Sequence, residues 1–314
     1  MDSSELAPAV LGAEATKFSY DARHAAVVQV QPGSIVRFQT LDARCGRMKS
    51  PEDVLSSAPD WSREFPEVDP ATGPAGIIGA EPGDTLKITV QRIDLGALGF
   101  VIVKTDMGIV RGLVATPVAK MVHVSGDRIQ FGNGIALPIR PMIGIIGTAP
   151  AGVPVESAYV HRCGGNMDNN RIRVGASVYL PVEAPLGLLY VGDVHAAMGD
   201  GEVCGLAVEI PGSVLVRIDL LRRRHIEYPM VEDEEVFATT GIGDTFYEAA
   251  EIAVSQMIRR LSASLQISAP EAYMLVSCYG DLRINQACNC LPIRLGVRVE
   301  VPRQILGLEP WSSL

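Results

Sequence analysis

Sustained helical periodicity appears in this chain only after residue 240. Before that point apolar residues come in short runs broken by glycine and proline, and the clearest run, Thr85-Leu86-Lys87-Ile88-Thr89-Val90-Gln91-Arg92-Ile93, alternates strictly. Alternation with period two sends one set of side chains to a core and the other to solvent, which is what a half-buried strand requires. Residues 34–41 alternate in the same way. Each run follows a Pro-Gly turn, Gln31-Pro32-Gly33-Ser34 and Glu81-Pro82-Gly83-Asp84. The shared pattern suits two equivalent strands in two halves of a β architecture, although it is too short to establish a repeat.

The rest of the chain follows from this texture. Residues 1–17 are unpatterned and read as a lead-in, and Asp42 closes the run 34–41, as an Asx-turn former or a ligand at a strand end. Residues 47–68 read as an irregular or briefly helical excursion, with Ser50-Pro51-Glu52-Asp53 as a helix start. Short β-like segments continue through 97–149 and end in an apolar run at 141–150, which is too short to span a bilayer. Further strands are expected over 171–185, 203–210 and 213–221. Then Phe246, Ala249, Ala250, Ala253, Val254, Met257, Ile258, Leu261 and Leu265 recur at helical steps behind the capping signal Thr245-Phe246-Tyr247-Glu248. A second helix starts at Ser268-Ala269-Pro270-Glu271 and runs to about Cys278. The fold class expected is mainly β, sandwich-like, with a C-terminal pair of helices around 245–278 packed on a sheet. One β-rich domain over 18–303 is expected, with a tail over 304–314.

Composition narrows the function. With 47% apolar and 20% charged residues the 314-residue chain is ordinary globular material. A net charge of −9 and only 5% aromatic residues argue against nucleic acid, whose binding needs a basic surface or stacking platforms. The basic run 222–225 lies near the acidic run 232–235, and the two read as solvated or mutually compensating faces. Cys45, Cys163, Cys204, Cys278, Cys288 and Cys290 form no Cys-x-x-Cys pair, so free thiols in a reducing cytoplasm are expected. No membrane association is expected.

Chemistry concentrates in Gly192-Asp193-Val194-His195-Ala196-Ala197-Met198-Gly199-Asp200-Gly201-Glu202. If an apolar strand ends in Asp-x-His, Asp193 and His195 share a face. A hairpin through the glycine-rich turn then returns Glu202 beside His195. Two carboxylates and an imidazole together suit a divalent metal or acid–base chemistry, whereas the plain alternative is a polar hairpin end facing water. A second candidate is His161-Arg162-Cys163-Gly164-Gly165-Asn166-Met167-Asp168, where the glycines either free amides for an oxyanion or form a hairpin.

Taken together, Thr40-Leu41-Asp42, Asn166-Met167-Asp168 after a Gly-Gly pair, the string 192–202 and Asp281-Leu282-Arg283-Ile284-Asn285-Gln286 resemble the acetamidase/formamidase family. The likeness extends over about residues 18–303, with support from Thr72-Gly73-Pro74, residues 79–84 and residues 143–150. It implies a β-sandwich enzyme that hydrolyses carbon–nitrogen bonds of small linear amides, releasing ammonia and a carboxylate. It also implies a homo-oligomer and a divalent metal, zinc first and calcium second. On this likeness Asp193, His195 and Asp42 are the expected metal ligands, and Glu202, Asn166 and Asp168 the expected catalytic residues. Gly164, Gly165 and Cys163 are expected to bind substrate, with the glycine amides and Asn166 as oxyanion donors. One position departs from the family pattern: Cys163 stands where a Pro-His-Gly-Gly-Asn string usually has its histidine, and His161 lies two residues earlier. Two rival readings are a Cys163 nucleophile with His161 or His195 as base, and a non-enzymatic binding protein on the same scaffold.

Overall fold

The protein, in a computed structural model, is described over residues 8–287, 294–304 and 307–311. Two sheets face each other. The larger has nine strands in the order Ala9–Leu11, Ser34–Thr40, Gly212–Leu221, Thr85–Leu95, Ser177–Pro181, Met230–Glu232, Val236–Gly243, Leu295–Pro302 and Asp281–Ile284. The two strands that follow Pro-Gly turns, Ser34–Thr40 and Thr85–Leu95, flank Gly212–Leu221 on either side, both antiparallel to it. Their shared lead-in thus marks two strands of one sheet that share a neighbour, not strands in two halves. The second sheet runs Val160–His161, Gly164–Asn166, Met142–Thr148, Leu189–His195, Ala71–Ile77 and Thr16–Lys17, with Val28–Val30 also paired to Ala71–Ile77.

The alternation seen in the sequence has its cause in the space between these sheets. Leu86, Ile88 and Val90 from one strand, and Val214, Val216 and Ile218 from its neighbour, pack against Ile143, Ile146, Leu189, Val191 and Val194 of the opposite sheet. Burying each of these side chains contributes on the order of 1.5–3 kcal/mol. The strand Leu189–His195 is buried along its whole length, because Tyr190 turns the other way into a second cluster with Tyr20 and Ile145. A strand covered on both faces is held in one register, which suits an element that ends in the functional string.

The C-terminal helices cover the far end of the large sheet. α1 is Phe246–Leu265 and α2 is Ala269–Tyr279. Ala253, Met257 and Leu261 of α1, with Ala272 and Val276 of α2, pack on Phe237, Val299 and Val301. Ser268 and Glu271 form a reciprocal capping box on α2, whereas Glu248 accepts from the amide of Asp244 and only Thr245 caps α1. The excursion 47–68 carries a short 3-10 turn, Pro51–Val54.

The structure differs from the sequence reading in two further respects. Ala9–Leu11 and Thr16–Lys17, read as lead-in, are strands of the two sheets. No strand forms over 203–210: Gly201, Glu202 and Gly205 all have positive φ, which coils this segment into turns, and only Glu209 makes isolated bridges. Arg222, Arg223 and His225 are exposed, as the solvated reading of the basic run has it, and among the described residues no ion pair joins the run to the acidic one. Arg222 and Arg224 instead donate to the carbonyls of Gly79 and Trp311. Cys288 and Cys290 lie outside the described residues. Among the described residues no helix is long and apolar enough to cross a membrane.

Candidate active site

Where the strand Leu189–His195 ends, Asp193 and His195 lie on one side as their i, i+2 spacing requires. His195 Nε2 is 3.2 Å from Asp193 Oδ2. Glu209, which the sequence reading did not single out, reaches the same nitrogen at 3.4 Å. It is delivered by a bridge to His195 and by reciprocal backbone bonds with Phe100, and its Oε1 accepts from the Ala207 amide. Asp168 approaches the other ring nitrogen, at 3.9 Å from Nδ1. Glu202 completes the centre: its carboxylate oxygen converges with His195 and Glu209 to within 4.8 Å, as do the ligand atoms of Asp168, Asp193 and His195 among themselves. Glu202 therefore arrives beside His195 as the sequence suggested, but from a turn rather than a strand.

The space that holds these groups is made by Gly144. It lies across from Asp193 on the neighbouring strand Met142–Thr148, and its carbonyl accepts the amides of Met167 and Asp168. A β-carbon built there would stand 2.5 Å from Asp193 Oδ2 and 2.6 Å from Asp168 Oδ1. Only a residue without a side chain lets both carboxylates converge. The backbone is also bent to present them. Asp168, Asp193 and Glu202 have φ of 41°, 49° and 42°, and the neighbouring Asp69 has 47°. Left-handed backbone is costly for residues with a β-carbon, so four acidic residues sharing it around one site mark a geometry held by its surroundings.

A network pins the glycine-rich turn. Gln286 donates its amide to Asp168 Oδ2, and the backbone of Gly201 bonds to Asn285 and Ala287 on either side of Gln286. The motif at 281–286 thus braces the centre through Gln286, while Asp281 at its start is exposed.

The electrostatics are those of crowded buried acids. Asp168 and His195 are each 1% exposed. Burial, with Asp193 adding to it against His195, raises Asp168 to about 6; burial, with Glu209 adding to it against His195, raises Asp193 to about 6. Glu202 is pushed well above the usual carboxylate range by burial and by Asp168. Burial pulls His195 down, but Glu209 and Asp193 outweigh it, and the imidazole ends well above the ordinary histidine value. Asp69 is pushed up to about 8 by burial and Asp193, with Arg44 and Lys104 opposing. Arg44 is itself buried, and among the described residues its Nε and Nη1 have no hydrogen-bond partner. Four acids, Asp168, Asp193, Glu202 and Glu209, thus surround one imidazole, and among the described residues none of them forms an ion pair with lysine or arginine. Among the described residues, Asp168 Oδ1, Asp193 Oδ1, Glu209 Oε2 and both nitrogens of His195 lack hydrogen-bond partners. Buried carboxylates without partners are neutralised by protons or by a cation, and unsatisfied oxygen and imidazole nitrogen atoms facing one another fit a divalent metal.

The other expected site residues lie apart from this centre or in supporting positions. Asp42 Oδ1 accepts from the amides of Arg44 and Gly46, an Asx turn, and Asp42 belongs to neither group of converging ligands. Gly164 and Gly165 sit in a strand paired on both edges, to Gly147 and Ile146 on one side and to His161 and Val160 on the other. A β-carbon at Gly165 would meet the Tyr159 carbonyl at 2.3 Å, so these glycines serve close strand packing rather than an open amide cradle. Asn166 is buried in the same strand; its Nδ2 donates to the Ala158 carbonyl and its Oδ1 is unpartnered. Cys163 is buried, its thiol is pushed up by burial, and its amide donates to His161 Nδ1. Burial holds His161 down at about 3. A protonated thiol beside a backbone-bonded, neutral imidazole is a core pair, not an activated nucleophile.

Fold and site together define a class: a β-sandwich protein with a buried centre of four carboxylates and one imidazole. The comparisons with known proteins agree with it. Residues 157–306 match the model of the acetamidase/formamidase family. The crystal structure of an acetamidase from Bacillus halodurans is 34% identical, with 95% of this chain and 98% of that chain covered and a TM-score of 0.89. A structure from the thermophile Thermoanaerobacter tengcongensis, described as a predicted acetamidase/formamidase, is 31% identical over 96% of this chain and 99% of its own, with a TM-score of 0.90. The formamidase of Methylophilus methylotrophus is 39% identical over 61 residues, which is 19% of this chain and 15% of that protein's own length. The chain belongs to the acetamidase/formamidase family.

Proposed function

We propose that the chain hydrolyses the carbon–nitrogen bond of small linear amides, releasing ammonia and a carboxylate. The observation that carries this reading is the convergence of Asp168, Asp193, His195, Glu202 and Glu209 in one buried centre. Asp168, Asp193, His195 and Glu209 would hold a divalent cation, and an imidazole among carboxylate oxygens favours zinc, with calcium as the harder alternative. Such a cation would polarise the amide carbonyl and make water a better nucleophile near neutral pH.

The chain's own groups do the rest. Glu202 is the residue we assign as base and acid, because it converges on His195 and Glu209 without belonging to the converging group of Asp168, Asp193 and His195. It takes a proton from the attacking water as that oxygen bonds to the amide carbon. It returns the proton to nitrogen as the carbon–nitrogen bond breaks, so an amide and water become a carboxylic acid and ammonia. A carboxyl raised by burial is suited to both transfers. Gln286 keeps Asp168 turned inward, and Asp69 with Arg44 adds a charged wall on the side of Asp193 and Glu209. Asn166 and Asp42 act through the strand and turn they hold rather than by touching substrate. A homo-oligomer in the cytoplasm, binding no nucleic acid, completes this reading, supported by the family likeness and the net charge of −9.

The test is ammonia release from formamide, acetamide and propionamide by metal-replete protein, with Glu202→Gln alongside. The rate is expected to fall about 10²–10⁴-fold in Glu202→Gln while bound metal is retained, in the range of a lost general acid–base. A variant that keeps full activity would remove Glu202 from the chemistry, and no ammonia from any amide would sink the hydrolase reading.

A further inference from the structure

Beside the acidic centre lies a cleft of about 460 Å³ whose walls carry Arg140, Arg171, Arg173, Arg283 and Arg298, with Asp200 as the one carboxylate among its lining side chains. Five guanidinium groups around one small cleft are out of keeping with a chain of net charge −9. Their acidic partners mostly stand behind them. Glu300 and Asp233, both buried, accept from Arg171, Arg173 and Arg298, and Glu235 accepts from Arg171 and Arg173. These bonds lock Arg171 and Arg298 in place, since a guanidinium held at several nitrogens cannot swing away. Arg173 is bound only through Nη2, which leaves its other N–H groups available. Arg140 is exposed; its backbone amide donates to the Ala196 carbonyl, and among the described residues its guanidinium has no hydrogen-bonding or ion-pair partner.

The cleft is built on the same loops as the centre. Asn170, which accepts from Arg298, stands two residues beyond Asp168, and Asp200 stands two before Glu202. Arg298 also bonds to Asp200 and to Asn285, the neighbour of Gln286, which in turn holds Asp168. A ligand seated against these arginines therefore has its other end directed at the segments that carry the reacting groups. Arg forks pair with carboxylates through two parallel hydrogen bonds, which adds geometric selection to charge attraction.

Building on the amide hydrolysis put forward above, we propose that this cleft binds a carboxylate carried by the substrate. The preferred substrates are then monoamides of short dicarboxylic acids, and the product is the dicarboxylate. Hydrolysis is balanced as before: water adds to the amide carbon, the carbon–nitrogen bond breaks, and the second carboxylate is unchanged.

The experiment compares kcat/KM for succinamate and acetamide in wild type, Arg140→Gln and Arg173→Gln, and measures binding of malonate and inorganic phosphate by calorimetry. The succinamate-to-acetamide ratio is expected to exceed ten in wild type and to fall about tenfold in each variant and in high salt. Malonate is expected to bind wild type and to be lost from the double variant. Turnover of acetamide with no preference for succinamate, or a ratio the variants leave untouched, overturns the cleft assignment while amide hydrolysis stands. Phosphate binding more tightly than malonate overturns the choice of carboxylate. If no amide is turned over, the hydrolase reading falls, and the calorimetry alone decides the cleft: malonate bound to wild type and lost from the double variant upholds an arginine-held carboxylate, and its absence refutes one.

Discussion

Gly144 shows how one missing side chain can make room for a buried acidic centre. Two carboxylate oxygens, from Asp168 and Asp193, occupy the place its β-carbon would fill. Gly144→Ala is expected to leave the sandwich folded, since the strand Met142–Thr148 keeps its pairings, but to lower metal content and amide turnover by at least about 100-fold, the scale of misplacing reacting groups by an ångström. Metal analysis with far-ultraviolet circular dichroism checks this; an alanine variant with normal metal and rate would show that the carboxylates need not converge there. His161 gives a pH signature away from the centre. Its folded pKa of about 3 lies below the ordinary 6.5, so between those values the unfolded chain binds the extra proton. Stability contributed by neutral His161 is full above about pH 6.5 and is lost as pH falls, at up to about 1.4 kcal/mol per unit. His161→Asn, which offers an oxygen where Nδ1 accepts the Cys163 amide, is expected to flatten the wild-type slope between pH 6 and 4 in denaturant titrations. An unchanged slope would place the histidine's titration elsewhere.

Among the elements, the strand Leu189–His195 and the turn after it contribute differently. Asp193 and His195 were legible in the sequence because period two fixes which residues share a face, and that rule is local. Glu202 was legible as a neighbour for a weaker reason, the glycine-rich reversal, and its strand was not there to be found because residues with positive φ end it at once. Glu209, Gln286, Asp69 and Arg44 were missed because distant pairings bring them in: the bridges of Glu209 to Phe100 and His195, and of Gln286 to Gly201. The available signals were faint, an acid interrupting the apolar residues 206–210 and an amide pair closing the motif 281–286. Asp42, read both as an Asx-turn former and as a ligand, is seen in the first role, which a carboxylate at a strand end commonly takes. α1 supplies a test of element packing separate from the chemistry. Met257 is fully buried between the helix and the large sheet, so Met257→Ala is expected to cost about 2–5 kcal/mol in chemical denaturation with the pH profile of activity unchanged. A loss under 1 kcal/mol would mean that the helix docks through other contacts.

For the molecule as a whole, the sandwich explains why this site can exist. The opposite sheet covers one face of the strand Leu189–His195 and the cluster around Tyr20 the other, and at its end lie four carboxylates that, among the described residues, pair with one imidazole and with no lysine or arginine. Mainly β texture and two helices near the C-terminus were readable in order, since they rest on periodicity. The arginine cleft was not readable, because its members come from residues 140, 171, 173, 283 and 298, which only the fold assembles. A fold that buries like charges is stabilised by whatever cation neutralises them, and a ligand at 100 times its Kd adds about 2.7 kcal/mol. Melting temperature is therefore expected to drop by several degrees on chelation and to recover with zinc, whereas a Tm indifferent to both would speak against a cation in the centre. The most direct test of the central claim is ammonia release from chelator-stripped protein titrated with zinc. Activity is expected to be absent without metal, to rise in proportion to metal bound and to be lost when Asp193→Asn no longer retains it. Full amide turnover in protein shown to be metal-free would contradict it.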